Sequence, residues 1–193
     1  MKKIFCLATA ILFFLGCDQS ATSGKNNDQL MQEQSKTGTV THTKGEQSQG
    51  SINPLSIFTL SDAEKILGEP AHLTDSSMTI EENVSIYKCA YTANAKDPKT
   101  GKTGVIYFLF EQYSRDSSAE KVYTSIKTAN ENHGIKELHD MGDEAYFHTD
   151  GENFYFIMVR KGNKMFRIKV NKITGTTSLD EFNLIAKYIT DAL

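Results

Sequence analysis

The chain has 193 residues, a formal net charge of −3 and a hydrophobic fraction of 39%. This length suits one domain with appendages, and the hydrophobic content is sufficient for a core. Because the pI is near 6.0, no overall attraction to nucleic acid is expected, and a nucleic-acid partner is not predicted.

The first 16 residues have the layout of an export signal. Two lysines, Lys2 and Lys3, precede a continuous apolar run over residues 4–15. As a helix this run would span about 18 Å at ~1.5 Å per residue, whereas a bilayer core is roughly 30 Å thick. We therefore predict a signal peptide over residues 1–16, and not a membrane-spanning anchor.

Gly16 and Cys17 directly follow the apolar run. Residues 14–17 resemble the lipobox of bacterial lipoproteins, with Phe14 where that motif usually has leucine. The resemblance implies that Cys17 becomes the acylated N-terminus, so that membrane lipid is a partner and the protein is anchored in the bacterial cell envelope. Asp18 resembles an inner-membrane retention signal of enteric bacteria. An ordinary secretory signal followed by a chance cysteine is the alternative.

Residues 17–53 are predicted to form a disordered tether. They are rich in Gln, Ser, Thr, Gly, Asn and Lys, and their apolar residues are scattered. Too little apolar surface is present to offset the entropy cost of ordering the chain. A flexible segment of this length has an r.m.s. span of roughly 33 Å, which would hold a domain clear of the lipid head groups.

Residues 54–193 are predicted to form a single domain with three helices. Each predicted helix begins at the same Ser-x-x-Glu pattern. This pattern is a capping box, which satisfies free N–H groups at a helix start. The three boxes are Ser61 to Glu64, Ser117 to Glu120 and Ser178 to Glu181. Gly68 and Pro70 should end the first helix. The similarity of residues 61–65 to residues 117–121 is consistent with an internal duplication or with two independent good helix starts.

Five strands are predicted between and after these helices. Residues 84–92 and 104–113 are β-rich segments, and residues 141–170 read as a meander of three strands with turns at Asp150-Gly151 and Lys161-Gly162. Residues 153–159 are apolar on both faces, so we expect them at the centre of the core. The fold class is therefore α+β, with a mainly antiparallel sheet of about five strands and three helices packed against it.

Only one cysteine is expected in the folded domain, because Cys6 would leave with the signal and Cys17 would carry lipid. No internal disulfide is then possible. Alternation places Cys89 on the same strand face as Tyr87 and Tyr91, which favours a buried structural thiol over a nucleophile.

Four segments carry a wider resemblance: residues 60–70, the tyrosine-rich strand around Cys89, residues 141–147 and residues 159–163. Together they resemble small bacterial lipoprotein domains of unknown function, some of which are similar to extracellular sensor domains of bacterial kinases. The resemblance implies an envelope domain with a binding or structural role. It supplies no catalytic residues.

Positive charge is concentrated on the last predicted hairpin, where a binding surface could include Arg160, Lys164, Arg167 and Lys169. One interpretation is an anion-attracting surface for an envelope polymer or an acidic partner. The other, which the pattern favours, is an edge strand protected from aggregation by basic residues.

A histidine-rich segment, residues 133–148, is the only candidate for metal chemistry. It carries His133, His139 and His148 together with Asp140, Asp143 and Glu144. No pair has the tight helical spacing of a zinc site, so solvated loop residues are favoured over metal ligands. No phosphate-binding Gly-rich loop and no Gly-x-Ser-x-Gly nucleophile is present.

The leading hypothesis is a lipid-anchored envelope protein with a non-catalytic binding or structural domain, without cofactor or metal. Two alternatives remain open. The domain could be a sensor or inhibitor that engages another envelope protein through the basic hairpin, or a metal-dependent hydrolase that uses residues 133–148.

Overall fold

The computed structural model describes residues 56–193, and the predicted signal peptide and tether lie outside this part of the chain. The described residues form three α-helices and seven strands. In chain order they are α1 Leu60–Leu67, β1 Ala71–Ile80, β2 Val84–Ala93, β3 Val105–Tyr113, α2 Asp116–Asn130, β4 Lys136–Leu138, β5 Glu144–Thr149, β6 Phe154–Lys161, β7 Lys164–Asn171 and α3 Leu179–Ala192. The α+β class is confirmed, but the sheet has seven strands and not about five.

All seven strands belong to one antiparallel sheet in the order β1-β2-β3-β7-β6-β5-β4. The predicted meander is confirmed as β5-β6-β7, and β7 pairs with β3 from Val105↔Asn171 to Gln112↔Lys164. The basic strand β7 is therefore the fourth of seven. The interpretation of its lysines and arginines as edge protection is wrong, because both of its sides are hydrogen-bonded to neighbouring strands.

The two strands that the sequence did not predict are weakly patterned. Nine of the ten residues of β1 are exposed, so burial imposes no alternation on its sequence. Its pairing with β2 also slips at a bulge between Leu73 and Asp75. The other missed strand, β4, is only three residues long and pairs with β5 alone. Their strand character comes from the neighbour that they pair with.

The sheet has two different faces. On the first, the two-helix face, α1 and α3 cover a core that includes Phe58, Ile66, Phe108, Phe166, Phe182 and Ile189. On the second, the open face, α2 covers a smaller cluster of Tyr123, Tyr146, Met158 and Met165. In β6, Ile157 and Val159 face the first cluster and Met158 the second, and all three are fully buried. All buried core residues of the described part lie between residues 58 and 189, so this part of the chain holds its own core.

Helix α1 and helix α2, whose similar starts suggested a duplication, pack on opposite faces of the sheet. If the two halves were duplicates, a two-fold rotation perpendicular to the sheet would exchange the antiparallel strands β3 and β7. Such a rotation would keep the two helices on the same face of the sheet. The two helices therefore do not occupy equivalent places.

The helix starts match the predicted boxes in part. Helix α3 has Ser178 as its N-cap, whose hydroxyl accepts a hydrogen bond from Glu181 N at 3.2 Å. Helix α1 instead uses Thr59, in a capping box with Asp62. Helix α2 begins after Arg115, which makes no side-chain cap bond. Gly68 ends α1 with φ of 70°, as predicted.

Cys89 is a free, buried thiol on β2, on the same face as Tyr87 and Tyr91, as predicted. Burial raises the pKa of its thiol, which opposes nucleophilic reactivity. Among residues 56–193, none of the helices has the length and apolar character needed to cross a bilayer.

Candidate ligand-binding groove

A groove lies on the open face of the sheet, beside the second half of α2. It has two lobes with volumes of about 240 and 380 Å³, and the larger lobe alone reaches the lower part of the range of small-molecule sites. Phe156, Arg167 and Lys169 line both lobes. These three side chains project from the neighbouring central strands β6 and β7, so the sheet itself forms the floor of the groove.

The first lobe is mainly apolar. Besides the shared residues, it is lined by Ala90, Tyr107 and Leu109 of β2 and β3, with Lys88 and Asp75 beside them. Tyr107 is 46% exposed, which is unusual for an aromatic residue on a central strand. Its exposure follows from the position of α2, which packs on β5, β6 and β7 through Tyr123 and leaves this part of the face without a helix. We name this region the apolar lobe.

The second lobe, the polar lobe, lies against α2. Its own lining residues are Ile126 and Asn130 of α2, Tyr146 and His148 of β5, and Phe154 of β6. His148 packs edge-on against Phe154, with ring centroids 4.9 Å apart. Asn130 Nδ2 donates one hydrogen bond to the carbonyl of Ile126 at 2.7 Å.

Two buried polar atoms at the polar lobe have no hydrogen-bond partner among the described residues: Tyr146 Oη and Arg167 Nε. Tyr146 is only 1% exposed, and burial raises the pKa of its hydroxyl, although Arg167 acts in the opposite direction. The phenol is therefore a neutral donor at ordinary pH. An unpaired buried polar group costs about 1–3 kcal/mol, so an acceptor that reaches either atom would be bound favourably.

The groove is lined by one arginine that is paired with a carboxylate and by two exposed lysines. Arg167 Nη2 donates to Glu111 Oε2 at 2.7 Å, and Glu111 also accepts a hydrogen bond from Tyr113 Oη at 3.1 Å. Lys169 Nζ lies 5.7 Å from the centroid of the Phe154 ring. Both Lys169 and Lys88 are exposed. Glu111 therefore binds Arg167 through Nη2, and Nε is left without a partner among the described residues.

The four predicted basic residues do not form one surface. Arg167 and Lys169 lie together in the groove. Arg160 is on the same face, but its Nε and Nη1 are engaged by Glu144 at 2.6 Å and by Asp143 at 3.1 Å. Lys164 points to the two-helix face, where its Nζ donates to the Leu193 carbonyl at 2.8 Å. Strand alternation separates Lys164 from Arg167.

The histidine-rich segment is dispersed. The rings of His133 and His148 stack with centroids 6.4 Å apart, whereas His139 lines a different pocket with Lys127 and Glu137. Across residues 56–193 no three His, Cys, Asp or Glu side chains come together in a group that could hold a metal ion. His148 contributes instead to the polar lobe of the groove.

Sequence analysis did not single out Lys88, Tyr107, Tyr146 or Phe156 as site residues. A weak signal existed for Lys88 and Tyr107, because each interrupts the apolar character of a strand on the face that α2 leaves open. No signal existed for Tyr146, because the absence of a hydrogen-bond partner for its hydroxyl depends on how α2 and β7 pack around it.

Comparison of the chain with protein-family models, with curated proteins and with solved structures finds no match.

Proposed function

We propose that this chain is a lipid-anchored protein of the bacterial cell envelope whose domain binds a small anion in the groove, without catalysis. The observation that carries the binding proposal is the pair of unpartnered donors, Tyr146 Oη and Arg167 Nε, at the same lobe. A buried donor without a partner is costly in an empty site and favourable when an acceptor arrives. Lys169 adds positive charge beside them.

The anchoring proposal rests on the sequence, namely on Cys17 directly after an apolar run too short to cross a bilayer. Metabolic labelling with radioactive palmitate tests it. We expect the full chain to be labelled and the Cys17→Ser variant to lose the label, since the acyl groups have no other attachment point in the proposal. Label that persists in Cys17→Ser would contradict anchoring through Cys17.

Binding is tested by NMR titration of residues 54–193, which include all of the described residues and their core. The panel consists of acetate, inorganic phosphate, naphthoate and naphthyl phosphate. We expect at least one anion to cause saturable shifts of backbone amides in β3, β6 and β7 around Arg167. If none of the four causes such shifts, the binding proposal is wrong.

A matched pair of variants ties the shifts to the groove. Lys169→Gln removes a charge from the groove, and Lys65→Gln removes one from the exposed surface of α1. Both substitutions are on the surface and should leave the free energy of unfolding within about 0.5 kcal/mol. We expect weaker anion binding in Lys169→Gln alone; an equal loss in Lys65→Gln would indicate non-specific attraction.

A further inference from the structure

We infer that the natural ligand of the groove is an apolar monocarboxylic acid: one carboxylate attached to a flat, ring-containing or unsaturated skeleton. This inference rests on the proposed function and specifies its ligand. It follows from three separate properties of the groove, which are the position of the free donors, the net charge and the shape of the apolar lobe.

The free donors place the head group of the ligand in the polar lobe. Tyr146 Oη and Arg167 Nε both belong to residues that line the polar lobe, and each carries one hydrogen that it can donate. A carboxylate has two acceptor oxygens and forms stronger hydrogen bonds than a neutral group, because it is ionised. A cationic ligand would offer donors to donors and would face Arg167 and Lys169, so it is excluded.

The net charge of the groove matches one negative charge. The cations that line it are Lys88, Arg167 and Lys169. The carboxylates that face them are Asp75, which lines the apolar lobe, and Glu111, which is paired with Arg167. With histidine counted as neutral, one positive charge remains uncompensated. A carboxylate neutralises it, whereas a phosphate dianion would leave one negative charge uncompensated.

The apolar lobe continues directly from the head-group position, because Phe156, Arg167 and Lys169 line both lobes. Beyond these residues it presents Ala90, Leu109 and the half-exposed ring of Tyr107. Such a surface on a pleated sheet is broad and shallow, and it favours a flat skeleton that stacks on Phe156 or Tyr107. A bare anion would leave this lobe in water and would gain nothing from it.

The inference is tested with residues 54–193 and four probes that differ in one property at a time. Naphthoate has the head group and the skeleton, acetate lacks the skeleton, naphthamide lacks the charge, and naphthyl phosphate carries a second charge. We expect naphthoate to bind about tenfold or more tightly than each of the other three, since loss of one charge-assisted hydrogen bond costs roughly that factor. Methyl signals of Ala90 and Leu109 should show ring-current shifts with naphthoate, and those of Leu184, exposed on α3, should not.

Tyr146→Phe is the variant that isolates the head-group position. It removes a hydroxyl that has no partner in the protein, so the ligand-free domain should be as stable as the unmodified one or slightly more stable. We expect it to weaken naphthoate binding about tenfold and to weaken binding of the uncharged naphthamide less, because a hydrogen bond to a neutral carbonyl is weaker than one to a carboxylate. Tyr188→Phe, at a tyrosine that is 70% exposed on α3, is the matched control and should have no effect.

The outcomes separate this inference from the proposed function. If acetate or naphthyl phosphate binds as tightly as naphthoate, the ligand class is wrong, although the groove remains an anion site. If Tyr146→Phe leaves naphthoate binding unchanged, ordered water serves the two donors and the head-group assignment is wrong. If no anion binds, both the inference and the proposed function are wrong.

Discussion

Arg167 on β7 and Glu111 on β3 form an ion pair across the centre of the sheet, with 2.7 Å between Nη2 and Oε2. The pair is diagonal, because the register places Leu109 directly opposite Arg167. Glu111 is only 8% exposed. This carboxylate therefore binds the guanidinium through Nη2 and leaves Nε without a hydrogen-bond partner among the described residues.

The first prediction concerns Glu111→Gln. Removing the charge leaves Arg167 with a weaker acceptor, and we expect the free energy of unfolding to fall by about 1–3 kcal/mol, as for other hydrogen bonds to charged groups. The same change raises the positive charge at the groove, so the affinity for naphthoate should rise severalfold. Urea unfolding and NMR titration measure the two effects.

A suitable control is Glu120→Gln, at an exposed position on α2, which should alter stability by less than about 0.5 kcal/mol. If Glu111→Gln lowers both the stability and the affinity for naphthoate, the expected rise in affinity is contradicted. The ion pair would then be needed to position Arg167.

The second prediction concerns the pH dependence of stability through Asp97. The carboxylate of this buried loop residue accepts hydrogen bonds from the backbone N–H groups of Gly175, Thr100 and Lys99. These bonds, that of Gly175 first, hold its pKa below the ordinary value of about 3.8. Because the folded state has the lower pKa, the stabilisation is complete above that value and is lost as the pH falls below it.

Asp97→Asn should therefore be less stable at neutral pH. If the amide nitrogen of the new side chain faces the Gly175 N–H, two donors meet; if the amide oxygen faces it, the acceptor is uncharged and weaker than the carboxylate. Its stability should also fall less steeply below about pH 4. Urea midpoints measured between about pH 3 and pH 7 check both points, with Asp140→Asn as an exposed control. Equal slopes for Asp97→Asn and the unmodified domain would contradict the proposed linkage.

The third prediction concerns Gly142, at the turn into β5. Its φ is +62°, and a Cβ there would meet the Arg160 carbonyl oxygen and lie 2.9 Å from Val159 Cγ1. Gly142→Ala should therefore cost about 2–5 kcal/mol, the sum of a left-handed backbone and a close contact. Thermal or urea unfolding measures the loss.

Gly151→Ala separates the two contributions to this cost. Gly151 has φ of +81° but nothing within 4 Å of its Cβ position, so only the backbone term of about 1–2 kcal/mol should appear. Similar losses in the two variants would show that the contact with Arg160 and Val159 contributes little.

The fourth prediction concerns the reactivity of Cys89. Its thiol is 2% exposed, and burial raises its pKa, so thiolate is scarce and inaccessible. A thiol reagent such as an aromatic disulfide should fail to label residues 54–193 in the folded state and should label them fully in urea. Rapid labelling of the folded domain would mean that β2 is open to solvent at Cys89.

Some features of the fold were predictable because they depend on local chemistry. The turns at Gly151 and Gly162 have positive φ and join strands rich in β-branched and aromatic residues, which is why the meander was recognised. The apolar residues of α3 recur at helical spacing, which is also visible in the sequence, and Phe182, Ile185 and Ile189 are buried. In contrast, the start of α2 was misplaced, because Arg115 provides no cap and tertiary packing sets that end.

The candidate site was predictable only in part. Arg167 and Lys169 stand on one strand face by simple alternation, and they remain together in the groove. Arg160 and Lys164 were grouped with them because they are near in sequence. In the structure the carboxylates of Asp143 and Glu144 form ion pairs with Arg160. Lys164 instead donates a hydrogen bond to the carbonyl of Leu193.

The sequence by itself determined the α+β class, the three-strand meander, the solitary thiol of the domain and the hypothesis of an acylated Cys17. These properties depend on residue types a few positions apart. Tertiary structure alone decided that β7 pairs with β3 at the centre of the sheet, that α2 covers only part of the open face, and that Tyr146 and Arg167 are left with unpartnered donors. The reason is physical: whether a polar atom is satisfied depends on groups that are distant in sequence, 56 residues apart in the case of Arg167 and Glu111, and local residue patterns do not specify such contacts.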